Sequence, residues 1–323
     1  MAEHVVSASR SGKKSRSSVH AFLRNVLKYK VLLLMLLPPV LVFIVNAYLP
    51  MVGLLIAFKD INYTDGIFTS PWVGFRNFEY LFTTTDAWRI TRNTILYNLL
   101  FIFSGLVLSV GIAIALNEIK TRFFPKLYQT IMIMPNFLSM VIVAFVGYAF
   151  LSSDSGYINR SILEPLGIPG INWYTEPKYW PFILPFINIW KTVGMNSIIY
   201  LAAITSIHAE YYEAAVIDGA GKWKQIRHIT LPLLTPVMVI LTILAVGNIF
   251  RADFGLFYQT TMNSAALYPT TDVIDTYVYR ALMNLGDIGM SSAASFYQSV
   301  VGFICIMGAN WIVKKINSDN AMF

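Results

Sequence analysis

Residues 213–232 read EAAVIDGAGKWKQIRHITLP, a polar and basic stretch set between apolar segments too long for a soluble core. Just upstream, residues 210–217 (EYYEAAVI) favour helix, and Asp218-Gly219-Ala220-Gly221 then interrupts it. Asp218 is placed to cap a second short helix over 222–228. Ile229-Thr230-Leu231-Pro232 ends that helix, and Pro232 suits the first turn of the apolar segment beyond. Trp223, Ile226 and Ala220 share one broad face, small Ala214 and Ala215 allow close backbone approach, and Gly219 admits a positive φ. Helices this short do not hold alone in water. The loop must therefore pack against something, and it reads as a docking element.

Working outward, 56% of the 323 residues are hydrophobic and 13% charged, against about 25% charged in soluble domains. Six segments reach the roughly 20 residues needed to cross about 30 Å of hydrocarbon: about 31–58, 94–116, 127–151, 182–207, 233–249 and 296–313. Such segments are helices, because lipid offers an open backbone no partner. Pro38, Pro39, Pro135 and Pro185 predict kinks within them. The fold class is thus an all-α integral membrane protein of six transmembrane helices: a basic arm over 1–30, then a membrane domain over 31–323 that carries the 208–232 loop.

Charge sets the expected orientation. Lys and Arg concentrate in the arm (Arg10, Lys13, Lys14, Arg16, Arg24, Lys28, Lys30), after span two (Lys120, Arg122, Lys126), in the 208–232 loop (Lys222, Lys224, Arg227) and in the tail (Lys314, Lys315). The opposite loops spread Lys59, Arg76, Arg89, Arg92, Arg160, Lys178, Arg251 and Arg280 over longer stretches. The positive-inside rule then puts both termini and the 208–232 loop in the cytosol. The net charge of +7 is accounted for in this way and implies no nucleic-acid partner. The Ser/Arg/Lys-rich start is expected to be disordered along anionic membrane lipid, and the stretch from Val31 to be a true span, being longer than a signal-peptide core. On the outer side, Trp72, Phe75, Phe78, Tyr80, Trp173, Tyr174, Tyr179 and Trp180 read first as interfacial anchors.

Three further motifs join the loop: Tyr128-Gln-Thr-Ile-Met-Ile-Met-Pro135-Asn-Phe-Leu-Ser139, Ile189-Trp190-Lys191-Thr-Val-Gly194 and Asn310-Trp311-Ile-Val-Lys-Lys315. Together with Glu213, Ala214, Ala215, Gly219, Ile229, Leu231 and Pro232, at unbroken EAA-motif spacing, they resemble the type I ABC importer permeases. Within these they resemble the LplB-like branch for oligo- and polysaccharides, which includes permeases of bacterial alginate importers. The resemblance implies a MetI-like permease architecture in a bacterial inner membrane. It also implies a second permease subunit, most simply in a heterodimer, two cytoplasmic ATPases that carry the ATP and Mg, and an extracytoplasmic binding protein that delivers saccharide. In such a permease the 208–232 loop is the coupling region, with Glu213, Asp218 and Gly219 transmitting and Ala214, Ala215, Ala220, Trp223, Leu231 and Pro232 around them. The mechanism implied is alternating access, with no catalysis and no cofactor on this chain.

The residues set this beside two other readings. An ion-coupled secondary sugar carrier keeps ionisable groups near mid-membrane, yet no Asp or Glu falls inside the six spans, and Glu118 and Asp253 lie near ends. A scaffold that moves nothing leaves the polar loop without a purpose. Gly219-Ala-Gly221-Lys222 is not a phosphate-binding loop, since Val216 and Trp223 stand where that motif needs Gly and Ser or Thr. His4, His20, His208 and His228 form no metal-binding pair in any span, and the single Cys305 reads as apolar filler. Candidates for the substrate path are Lys191 and Arg251, as cations for an acidic sugar, Trp190 and Tyr200 for stacking on rings, and Asn248 for hydroxyls.

Overall fold

A computed structural model describes residues 26–62, 64, 66–119, 121 and 123–316. Lys120, Arg122, most of the basic arm and the tail beyond Ile316 lie outside the described residues. Two compact units divide the chain, Met1–Leu55 and Ile56–Phe323. In the first, helix α1 (Lys30–Phe43) accommodates Pro38 and Pro39, then widens into a π turn at Ile44–Tyr48. Among the described residues five helical stretches are long and apolar enough to cross a membrane, and a sixth if a sharply bent pair counts as one span. Among the described residues the only strand-like pairing is a single bridge between Lys59 and Trp72.

The second unit is built on α2 (Thr85–Glu118) and the later helix Trp180–Thr205, the principal helix pair. Tyr97 of α2 shares one cluster with Leu184 and Ile187, and Val110 and Ala113 share another with Tyr200 and Ile204. The two helices therefore run parallel. α2 begins at Thr85, well before the expected 94, because Thr84 Oγ1 caps it by accepting from the Ala87 N–H at 3.1 Å. Asp86, Arg89 and Arg92 in those added turns had excluded them from an apolar window.

The expected single span over 127–151 is a broken one. Helix α3 (Phe123–Ile133) tightens into a 3-10 turn at Met134–Phe137, and α4 (Met140–Leu151) leaves at 98°. The helix Trp180–Thr205 is α5 hereafter. Next come α6 (Ala209–Ile217), α7 (Lys222–Gln225), α8 (Leu231–Gly247), α9 (Ile274–Arg280) and α10 (Ile288–Ile316). α10 also starts earlier than the expected 296.

The segment between α8 and α10, expected to be a long loop, is a packed layer over the first half of α2. Leu256, Phe257, Leu267, Val273 and Ile274 are buried there. The Asn93 Nδ2 donates to the Asp272 carbonyl at 3.0 Å, Tyr97 Oη to that of Thr270 at 3.0 Å, and the Ile274 N–H to Thr94 Oγ1 at 3.0 Å. The Asp272 carboxylate is buried but meets the guanidinium groups of Arg280 and, at 3.6 Å, Arg89. Those cations offset its desolvation. Asp275 accepts from the Ala252 N–H at 2.7 Å and from Gln298 at 3.2 Å. Burial nonetheless holds its carboxyl above the ordinary carboxylate range.

Two of the expected interfacial aromatics are core residues. Trp180 is fully buried and donates Nε1–H to the Trp173 carbonyl at 2.8 Å, and Phe78 packs on Ala57 and Ala293. Trp72 and Phe75 remain exposed.

α8 and α10 touch through glycine. A Cβ on Gly302 would stand 2.6 Å from the Gly247 carbonyl oxygen, whereas one on Gly308 would meet nothing within 4 Å. Gly302→Ala should cost about 1–3 kcal/mol through overpacking and lower the melting temperature of the detergent-purified protein. Gly308→Ala should leave it unchanged, and equal melting of the two variants would refute the close contact.

Candidate functional site

Three places concentrate exposed or polar chemistry: a hairpin at one end of the helices, a joint at the broken span, and a cleft.

The hairpin is α6 and α7. α6 closes with two bonds, Ala220 N–H to the Ala215 carbonyl at 2.8 Å and Gly219 N–H to that of Val216 at 3.0 Å, with Gly219 at φ 73°. This pair defines a Schellman stop, which uses glycine for its left-handed residue. Asp218 is accordingly the C-cap of α6 and does not cap α7, whose N-cap is Gly221. Nor does the helix end at Ile229–Pro232 as the sequence reading expected. α7 runs through a π turn at Ile226–Thr230 straight into α8, one helical stretch from Lys222 to Gly247. Pro232 lacks an N–H and crowds the carbonyl four residues back, and the widened turn lies where that crowding falls.

Side chains brace the hairpin. Buried Gln225 donates Nε2–H to the Ala220 carbonyl at 2.8 Å, the Tyr212 and Thr230 hydroxyls bond at 2.9 Å, and Lys222 pairs with Glu118 at the end of α2 at 2.9 Å. Leu231 packs on the cluster of Tyr200, Ile204 and Leu234. The tip is left open. Ile217 is 86% exposed, Trp223 72% and Val216 61%, beside exposed Glu213, Ala214, Asp218 and Gly219, with Ala215 and Ala220 half-buried and Pro232 exposed. The expected loop residues thus gather at one tip, except Leu231 and Pro232, which belong to the stem.

The joint explains Lys191. Its Nζ donates to the carbonyls of Pro135 at 3.4 Å, Asn136 at 3.1 Å and Leu138. The carbonyls lie where α3 breaks from α4, that of Pro135 also accepting the Leu138 N–H at 3.2 Å. One turn on, a Cβ at Gly194 would overlap the Met132 carbonyl. The motifs at 128–139 and 189–194 are therefore two sides of one contact. All three ammonium hydrogens have backbone acceptors, so Lys191 is not a free cation for an acidic sugar.

The cleft, of about 350 Å³, lies among α2, α5 and α8. α5 lines it with Asn188, Thr192, Asn196 and Tyr200, one stripe at four-residue spacing. α2 adds Asn98 and Phe101, α8 adds Thr242, and Asp253 stands at the end away from the hairpin. Of the five expected path residues only Tyr200 lines it. Trp190 sits in an apolar hollow with Phe150, Phe182 and Phe186, Asn248 donates to the Leu244 carbonyl, and Arg251 donates to Ser299 Oγ. The sequence reading missed the amide stripe although its period is visible. Among the described residues no three His, Cys, Asp or Glu side chains gather as a metal site.

Residues 105–318 match the family described as binding-protein-dependent transport system inner membrane component. Protein LplB of Bacillus subtilis (strain 168) is 36% identical over 293 residues, 90% of each chain. The polygalacturonan/rhamnogalacturonan transport system permease protein YteP of the same organism is 35% identical over 91% of each. This chain belongs to that family of inner-membrane permeases. A crystal structure of a bacterial ABC transporter involved in the import of the acidic polysaccharide alginate matches the permease with a TM-score of 0.83 and 33% identity, covering 92% of this chain and 99% of that one. A second, of a bacterial alginate ABC transporter in complex with an alginate pentasaccharide-bound periplasmic protein, matches with a TM-score of 0.81 and 32% identity, covering 91% and 97%. The permease is thus the multi-pass membrane subunit of an ABC sugar importer, and the ion-driven carrier and the inert scaffold are set aside.

Removing the Lys191 ammonium leaves the Asn136 and Leu138 carbonyls at the joint without their donor, while that of Pro135 keeps the Leu138 N–H at 3.2 Å. Lys191→Met in the permease should cost about 1.5–3 kcal/mol, the range for losing charge-assisted bonds at partly buried acceptors. Asn248→Ala, at an exposed helix end, should stay within about 0.5 kcal/mol. Thermal unfolding in detergent separates the two, and equal stability would show that the joint does not depend on Lys191.

Proposed function

We propose that the α6–α7 hairpin is the coupling element of this permease, docking into a cytoplasmic ATPase subunit that carries the ATP and Mg. The observation that supports this most directly is the tip itself. Ile217, Val216 and Trp223 project from a braced hairpin with no apolar cover. An exposed patch of this kind marks a protein contact. The basic residues Lys126, Lys222, Lys224, Arg227, Lys314 and Lys315 support an orientation with the hairpin and the termini in the cytosol.

Transmission follows from the helix continuity. Because α7 enters α8 without a stop, a displacement of the tip moves the whole stretch from Lys222 to Gly247 as one lever. The stretch is tied to α2 through Leu231, packed on the cluster that holds Val110 and Ala113, with the Lys222–Glu118 pair at the surface beside it. α2 and α8 are two walls of the polar cleft. Closure of the ATPases would therefore reshape the cleft, which is alternating access by movement of semi-rigid helices. A second permease subunit completes the path, a heterodimer being the simpler assembly, and a loaded binding protein delivers cargo at the opposite face. The cargo is an oligo- or polysaccharide, with alginate or a related uronate glycan as the first to be tried.

Replacing Ile217 and Trp223 by Asp removes two apolar side chains, each contributing about 1.5–3 kcal/mol when buried in a partner. ATP-driven uptake by the reconstituted complex should fall at least about tenfold, and the ATPase subunits should no longer co-purify. The melting temperature of the permease itself should not change. Full uptake by the double variant would overturn the docking role.

A further inference from the structure

α8 is held differently at its two ends. Away from the hairpin it stops at Gly247, and side chains of three other helices take up the backbone groups that follow. Asn98 of α2 donates to the carbonyls of Ile249 and Arg251, each at 3.0 Å, and Gln298 of α10 donates to that of Phe250 at 2.7 Å. The Ala252 N–H goes to the Asp275 carboxylate of α9 at 2.7 Å, and Gln298 reaches the same carboxylate at 3.2 Å, which ties α9 to α10. The Arg251 guanidinium donates to Ser299 Oγ at 3.0 Å. Consecutive residues from Ile249 to Ala252 are thus fixed, next to the close contact of Gly247 with Gly302.

Nearer the hairpin, α8 meets α2 and α5 through Leu234, Val237 and Leu241, apolar contacts that set no direction. There α8 and α10 stand apart. An apolar hollow of about 350 Å³ opens between Met238, Val239 and Thr242 on one helix and Ala309, Ile312 and Val313 on the other. Leu106 and Thr242 border both this hollow and the polar cleft. The two spaces can therefore exchange volume, since a tilt of α8 toward α10 narrows the hollow and widens the cleft.

We propose that the end of α8 away from the hairpin is the fulcrum of the transport stroke, with Asp275 and Gln298 as positioning residues that hold it while the half nearer the hairpin swings toward and away from α10. A hinge needs a few residues that stay fixed and room for the rest to move; the bonded residues and the hollow supply the two. The proposal rests on the coupling reading above and adds where the lever turns.

The test uses the full complex with its ATPases, second permease and binding protein, otherwise free of cysteine after Cys305→Ala. One spin-label pair, Leu233→Cys with Lys314→Cys, reports the half of α8 nearer the hairpin. A second pair, Asn248→Cys with Val300→Cys, reports the fulcrum. Leu233 lies about 21 Å along the helix from Gly247 at 1.5 Å per residue, so a tilt of about 10° carries it roughly 4 Å. Paramagnetic resonance should show the first distance changing on that scale between nucleotide-free and ATP-trapped complexes, and the second staying constant. Asp275→Ala, which strips the Ala252 N–H of its acceptor, should lower the sugar imported per ATP hydrolysed about threefold to tenfold, the scale of one or two lost hydrogen bonds. Asp275→Asn keeps an acceptor there and should hold that ratio. Equal movement of both pairs, a first pair that stays still during ATP-driven uptake, or an unaltered ratio in Asp275→Ala would overturn the fulcrum. Absence of ATP-driven sugar uptake by the unaltered complex would instead overturn the permease reading beneath it.

Discussion

A backbone carbonyl inside lipid must find a donor within the protein, and the break between α3 and α4 is where this chain has to meet that demand. The 98° bend frees carbonyls that a continuous helix would use. Lys191 answers from the neighbouring helix with one ammonium group and three donors. A cation in a span is expensive by itself, and so is an unpaired carbonyl, so each removes the cost of the other. Gly194, one turn further, lets α5 approach closely enough for the reach to work. With α3 and α4 anchored to α5 in this way, α5 can pair along its length with α2, and its amide stripe is aimed into the cleft.

The same constraint shapes the helix that follows the hairpin. Pro232 sits inside a helical run, and the chain answers with a widened turn and no stop. The outcome is one continuous helical stretch from the hairpin to the far side of the cleft. At the opposite end, the buried Asp272 and its two arginines fasten the segment between α8 and α10 onto α2. The hairpin is fastened too, by Gln225, Tyr212 and Lys222, but only along its stem. What remains uncovered is the apolar tip, so the surface that would meet a partner is held rigid before that partner arrives. Preorganisation of this kind lowers the ordering cost of association.

Much of this was legible in the residues, and the exceptions have physical causes. Apolar run length found the spans, since nothing else explains such runs. It shortened α2 and α10, because charged turns continue a helix beyond the hydrocarbon and a hydropathy window cannot see them. The hairpin was legible from Gly219, whose left-handed φ the EAA spacing requires, but Asp218 was assigned to the wrong helix. A Gly-centred stop outcompetes a carboxylate cap when both are possible. Lys191 was recognised as unusual, yet its partners lie on another helix at a break that Pro135 announced only as a kink. The stripe Asn188, Thr192, Asn196 and Tyr200 has a four-residue period open to inspection. It carries no charge, so the sequence does not set it apart from other polar helix positions, and the charges that do stand out are engaged with the protein. The family resemblance that these motifs carry is borne out by the comparisons with known permeases.

The account turns on the α6–α7 tip being a cytosolic surface that an ATPase subunit covers. The direct measurement is labelling of a cysteine at Ile217, introduced after the single native Cys305 is replaced by Ala, with a membrane-impermeant maleimide in vesicles of both orientations. The account predicts labelling in inside-out vesicles alone, and protection when the ATPase subunit is added. Labelling in right-side-out vesicles, or labelling in inside-out vesicles that the ATPase leaves unchanged, would contradict it.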